Sequence, residues 1–279
     1  MNDSFPDGLP GNPAGRISAG FTEGTAQARR RPGQPRLLPL TLDAVGYQAG
    51  GTGLLHGLDL ELRAGQLTVL MGANGAGKSL TLRLIQGLIR PTAGRIRFAD
   101  GTLFGPSRQP AEGHAGRVAM VFQRPVLLRR SVAGNLRHAL RVYRVPARER
   151  EERVTELLQV AGLAGLQDRP ARVLSSGEQQ RLSIVRAIAA EPELLLLDEP
   201  TANLDPQSTQ AIEALIRTAE RRGATVVLVT HDVGQARRMA DRVIFVHCGR
   251  VTEDAAAARF FDHPRSEAAR AYLDGRLFI

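Results

Sequence analysis

The sequence predicts an α/β fold: a sheet buried on both faces and flanked by helices. Three observations predict it. Short apolar runs at Leu67–Met71, Leu194–Leu197 and Thr225–Val229 have the continuous character of strands covered on both sides. Segments with helical spacing alternate with them, at Lys78–Leu88, Gly177–Ala190 and Gln207–Arg221. A glycine-rich turn joins the first run to the first helix, and in open α/β sheets ligands collect at such strand ends.

The remaining elements follow along the chain. Residues 1–36 are rich in Gly, Pro, Arg and small polar residues with no apolar period, which predicts a disordered extension. It holds no continuous apolar stretch of the kind found in secretory signals. Arg29, Arg30 and Arg31 in it fit a solvated tail, with anionic lipid or RNA as the other readings. From Leu37 the pattern changes. Leu38, Leu40 and Leu42 alternate with other residues, as do Leu58, Leu60 and Leu62, and both sets read as strands. Strands are also expected at Arg95–Phe98 and Val118–Phe122. Helices are expected at Ser131–Arg141 and Ala147–Val160, within a helical subdomain of about 125–172. Gln207–Arg221 carries Ile212, Leu215, Ile216 and Ala219 on one face. Val243–Val246 and Arg250–Val251 suggest a hairpin, followed by a helical tail over about 255–279.

Composition narrows the function. The chain has 279 residues, 43% of them apolar, enough for a sizeable core in one or two domains. One cysteine excludes an internal disulfide and argues against a Cys/His zinc site. No apolar run approaches the roughly 18–20 residues needed to cross a bilayer. The net charge of +9 comes from arginines spread along the chain, with only 4% aromatic residues and no stacking pattern, so no nucleic-acid partner is expected. Among 37 basic residues Lys78 is the only lysine. A compact ammonium is therefore kept at one position in a chain that elsewhere uses the planar arginine fork.

The neighbours of Lys78 explain why. Gly72-Ala73-Asn74-Gly75-Ala76-Gly77-Lys78-Ser79 has the spacing G-x-x-x-x-G-K-[ST] between a strand and a helix. Glycines let backbone N–H groups wrap phosphates, and the following helix aims its positive end at them. Gly72, Asn74, Gly75, Ala76, Gly77, Lys78, Ser79 and Leu80 are therefore candidate nucleotide contacts. Lys78 would reach the β- and γ-phosphates, and the Ser79 hydroxyl would ligate Mg²⁺. The buried run Leu194–Leu197 delivers Asp198 and Glu199 at its end. Asp198 is expected to hold Mg²⁺ and Glu199 to deprotonate the attacking water.

With Leu174-Ser175-Ser176-Gly177-Glu178-Gln179-Gln180-Arg181 between these two sites, the chain resembles the ATP-binding cassette (ABC) ATPases, whose signature motif this segment matches. The likeness covers about Leu37 to Ile279. Gln123 is similar to the family's Q-loop glutamine, a further ligand to the metal. Asn203-Leu204-Asp205 is similar to its D-loop, Thr230-His231-Asp232 to its switch-histidine loop, and Tyr47 to the aromatic that stacks on adenine. The signature usually reads Leu-Ser-Gly-Gly-Gln; Ser176 and Glu178 depart from it. The resemblance implies a P-loop cassette with a mixed-sheet core, an N-terminal antiparallel β part and a helical subdomain, spanning residues 37–279. It also implies ATP and Mg²⁺ as bound species. Ser175, Ser176, Gly177 and Glu178 of one copy would meet the γ-phosphate on Lys78 of another, in an ATP-dependent head-to-tail homodimer. His231 would contact that phosphate, with catalytic roles shared among Glu199, His231 and Gln123, and Asp205 would act across the interface.

Three uses of such a motor compete: an importer ATPase on separate membrane subunits, an exporter or lipoprotein-release ATPase, and a soluble cassette. One cassette without a heptad array fits the third poorly. In the first, permease subunits and an extracytoplasmic solute-binding protein are the implied partners, with the ATPase peripheral on the cytoplasmic face of the cell membrane. Residues 121–132 and the close of the chain, Phe260-Phe261-Asp262-His263-Pro264 and Ala271-Tyr272-Leu273-Asp274-Gly275, are similar to bacterial oxyanion importers of the tungstate type.

Overall fold

The computed structural model of the protein describes residues 36–107, 116–189 and 191–276. Apart from Arg36, the extension read over residues 1–36 lies outside the described residues, and so do the last three residues of the tail. Two sheets organise the chain. The larger has six strands in the order β10-β9-β3-β8-β7-β6. These are β3 (Leu67–Met71), β6 (Val118–Val121), β7 (Leu194–Asp198), β8 (Thr225–Val229), β9 (Arg242–His247) and β10 (Arg250–Ala256). Its pairings are parallel except for the β9–β10 hairpin. Every residue of β3, β7 and β8 is buried, which is why each reads as an unbroken apolar run.

The smaller sheet is antiparallel, in the order β2-β1-β4-β5, from β1 (Leu40–Ala49), β2 (Thr52–Leu62), β4 (Ala93–Phe98) and β5 (Leu103–Phe104). Only the last turn of β2 showed alternating leucines. Register shifts along the β1–β2 pair break the period nearer the turn, so the leucine alternation starts only at Leu58, six residues into β2.

Eight α-helices are assigned among the described residues: α1 (Lys78–Gln86), α2 (Val132–Val142), α3 (Arg150–Val160), α4 (Ser176–Ile188), α5 (Pro206–Arg221), α6 (Val233–Met239), α7 (Ala257–Asp262) and α8 (Glu267–Leu273). The helix expected from Ala147 opens with a tight 3₁₀ turn over Ala147–Glu149 before α3. Asp205 caps α5, with Pro206 at its first position, so the sequence marks that start sharply. A single apolar cluster runs from α2 and α3, through Leu136, Leu140, Val154 and Leu157, to Leu195 and Leu228 of the sheet. The helical segment after β6 thus shares the sheet's core.

The helical tail expected from Ala255 requires correction. β10 runs to Ala256, because Glu253 and Ala255 alternate inward while pairing with β9. Buried Glu253 broke the apolar signature of that strand. Beyond it lie two short helices in place of one, α7 and α8. α6 was not expected at all; it buries only Gln235, Ala236 and Met239, too few positions to show a period.

Candidate active site

β3 stops at Met71, and the chain wraps back before α1 starts at Lys78. Two glycines make the wrap possible. Gly72 has φ +143°, and any side chain there would run into the Val246 carbonyl oxygen. Gly77 caps α1 at φ +105°, a backbone region that favours glycine, with the end of the Leu55 side chain beside it. Lys78 is 5% exposed. Its Nζ donates to the carbonyls of Gly72 at 2.8 Å and Ala73 at 2.9 Å, so the ammonium sits inside the loop's own curve. Burial lowers its pKa from the ordinary lysine value, while Glu199 and Asp198 push the other way. An arginine fork has no room between those carbonyls.

Next to the lysine, the Ser79 hydroxyl donates to Asp198 Oδ1 at 2.8 Å. Asp198 ends β7 and is buried, which raises its carboxyl above the usual range; the Ser79 bond and Lys78 oppose that rise. No group of three or more His, Cys, Asp or Glu able to cage a metal occurs among the described residues. A paired hydroxyl and carboxylate suit Mg²⁺, which takes one or two protein oxygens and completes its shell with phosphates and water. A cation there would also relieve the buried charge on Asp198.

Glu199 follows at φ +46°, its N–H held by the Val229 carbonyl at 3.0 Å. A non-glycine residue in that region marks a backbone held by its surroundings. The turn brings its carboxylate to a meeting point. Glu199 Oε2 lies 3.2 Å from Gln123 Nε2 and 3.2 Å from His231 Nδ1. These side chains arrive from the ends of β7, β6 and β8. Asn74, Gly75, Gly77, Lys78, Ser79, Leu80, Gln123, Glu199 and His231 all line one cleft of about 430 Å³. Ala202 and Asn203 line it too and were not singled out as site residues; Asn203 holds φ +60° in the turn after Glu199. The Asn203-Leu204-Asp205 string was the available signal.

The signature residues stand apart from this cleft. Ser175 caps α4: its Oγ accepts from the Glu178 N–H at 3.3 Å, and Glu178 Oε2 accepts from the Ser175 N–H at 2.8 Å. Glu178, a departure from the usual glutamine, therefore completes a reciprocal capping box, a role either residue can fill. The Ser175 N–H bond holds the Glu178 carboxyl below its ordinary pKa. Gly177 is buried against α5, where an added Cβ would come 2.9 Å from the Ser208 Cβ. Ser176 is exposed and lines a second cavity of about 250 Å³ together with Gln123, Arg124, Gln180 and Asn203. Ser175→Ala should cost about 1 kcal/mol through the lost cap, lowering the thermal midpoint by roughly 2–4 °C. An unchanged midpoint in differential scanning calorimetry would show the box to be dispensable.

Gly72, Ala76 and Asp198 sit behind the lining, Ala76 buried in the loop, and two more expected residues lie farther from it. Asp205 is exposed and accepts from the Ser208 N–H at 2.9 Å as the α5 cap. Tyr47 sits on β1, partly buried against the core of the smaller sheet.

Residues 55–202 match the family described as ABC transporter. The chain is 35% identical over 262 residues to "Phosphate import ATP-binding protein PstB 2" of Natronomonas pharaonis, covering 90% of this chain and 92% of that one. It is 37% identical over 228 residues to "Methionine import ATP-binding protein MetN" of Rhizobium etli, covering 81% of this chain. The chain spans 63% of that relative's length. Among solved structures, cbiO1 from Clostridium perfringens, part of the ABC transporter complex cbiONQ, superposes with a TM-score of 0.71 at 29% identity. That match covers 80% of this chain and 90% of cbiO1.

Proposed function

This chain belongs to the ABC transporter family, and we propose that it binds and hydrolyses ATP in the cleft at Lys78 to drive a small-solute importer. The observation that carries this reading is the meeting of Gln123, Glu199 and His231 beside Lys78, Ser79 and Asp198. The loop N–H groups and Lys78 bind the β- and γ-phosphates. Ser79 and Asp198, with Gln123, would hold Mg²⁺, which would offset the charge on the phosphate oxygens. Glu199 accepts a proton from the water that attacks the γ-phosphorus as the bond to ADP breaks; solvent takes that proton afterwards. Gln123 orients the water, and His231 contacts the γ-phosphate.

The N-terminus of α4 does not line its own chain's cleft. A second copy, placed head to tail, would bring Ser175, Ser176, Gly177 and Glu178 onto that phosphate, with Asp205 at the shared interface. Tyr47 would stack on adenine once the nucleotide is seated. Residues 37–279 would form the cassette, and the helical segment of about 125–172 would receive a membrane permease working with a solute-binding protein. No helix of the described residues is long and apolar enough to cross a membrane. Such an ATPase would sit on the cytoplasmic face of the cell membrane.

For the cargo, we favour an oxyanion such as tungstate, on the likeness of residues 121–132 and of the closing segment. One relative is named for phosphate, another oxyanion, and six are named for methionine. Affinity purification of the tagged chain from native membranes should yield an integral permease. The solute-binding protein that joins this complex should bind tungstate ahead of phosphate or methionine. Recovery of the chain with no membrane protein would overturn the transport reading, and a binding protein selective for methionine would overturn the oxyanion.

A further inference from the structure

We infer that Tyr272, on α8, is a positioning residue that aims His231 at the cleft; the inference rests on the ATPase reading above. The Tyr272 hydroxyl donates to the backbone carbonyl of His231 at 3.2 Å. That carbonyl belongs to the peptide joining His231 to Asp232, the cap of α6, just after β8 ends at Val229. Tilting this peptide swings the imidazole away from Glu199, because the side chain leaves the same backbone unit.

The rest of the loop is fixed on either side. The Asp232 N–H donates to Thr230 Oγ1 at 3.1 Å, and the Gln235 N–H donates to Asp232 Oδ1 at 3.0 Å. Tyr272 adds the hold on the carbonyl side of the His231–Asp232 peptide, whose N–H already bonds Thr230. His231 itself is 58% exposed, so packing contributes little to its aim.

For Tyr272 to act as a brace, its own helix must be rigid; two contacts fix α8 and a third fixes the neighbouring α7. Buried Glu253 on β10 accepts from the N–H groups of Arg265, at 2.9 Å, and Ser266, at 2.9 Å, fixing the start of α8 to the large sheet. The Tyr272 ring meets Phe245 of β9 edge-on at 5.3 Å. α7 is tied to α6 by Arg237, whose guanidinium lies 4.6 Å from the Phe261 ring centre and donates to the Phe261 carbonyl at 3.3 Å. Burial, with Glu199 and Asp232 adding, raises the Tyr272 pKa above that of ordinary phenol, so the hydroxyl keeps its proton and remains a donor. The two short helices that close the described chain thus form a prop behind the catalytic loop.

The test is Tyr272→Phe in the full chain, which removes the hydroxyl and keeps the ring on Phe245. One neutral hydrogen bond that aims a catalytic group corresponds to about a two- to tenfold loss of kcat. The KM for ATP should stay as in the wild type, because Lys78 and the loop are untouched, and the thermal midpoint should move by no more than a few degrees. Amide exchange of residues 231–233 should quicken, while that of the phosphate loop should not. A wild-type kcat in Tyr272→Phe, unchanged exchange at residues 231–233, or a KM that rises in step with the fall in kcat would each overturn the inference. A wild-type chain that hydrolyses no ATP would instead overturn the functional reading.

Discussion

Lys78→Ala is expected to lose ATP affinity by about 10- to 100-fold, the scale of one charge-assisted bond of roughly 1.5–3 kcal/mol, and to show no measurable hydrolysis. Lys78 is the one lysine or arginine among the described residues that line the cleft. Its loss leaves the phosphates beside Asp198 and Glu199 with no side-chain ammonium, only the loop N–H groups and the metal to offset them. Lys78→Arg should fail as well. The ammonium fits between the carbonyls of Gly72 and Ala73 at 2.8 and 2.9 Å, and a planar fork entering that curve must displace the loop. Titration with a fluorescent ATP analogue reads both variants. Near-wild-type affinity in the two of them would remove the loop as the phosphate site. Thermal unfolding without nucleotide is the control, since the alanine variant also strips two loop carbonyls of their donor.

Glu199→Gln should lower hydrolysis by about 10²–10⁴, the usual worth of a general base. The amide keeps the shape and can still accept from Gln123, but it cannot take the proton from water. Lys78, Ser79 and Asp198 remain, so MgATP should bind as before. A fully active variant would exclude Glu199 as the base.

Much of this site was legible in the sequence, because its parts are tied to strand ends. The glycine loop after Leu67–Met71 and the acid pair after Leu194–Leu197 announce themselves by residue type and spacing. Gln123 and His231 became candidates through resemblance alone. Only the structure shows that they meet on one oxygen of Glu199, from positions 76 and 32 residues away. Glu178 read as a departure until its bond to the Ser175 N–H showed it capping α4. Other features left no trace in the sequence. α6 is too short to carry an apolar period, and β10 hides behind a buried glutamate that serves α8. Tyr272 stood out only in a closing segment, and its contact with His231 depends on how two short helices fold back over the sheet.

The central claim is that ATP held at Lys78 is completed by the signature helix of a second copy. Sedimentation velocity of Glu199→Gln with ATP, with ADP and without nucleotide tests it most directly, because blocked hydrolysis preserves the γ-phosphate that α4 would read. A dimer with MgATP and a monomer in the other two conditions is the predicted result. A monomer under all three, with ATP shown to be bound, would contradict the account.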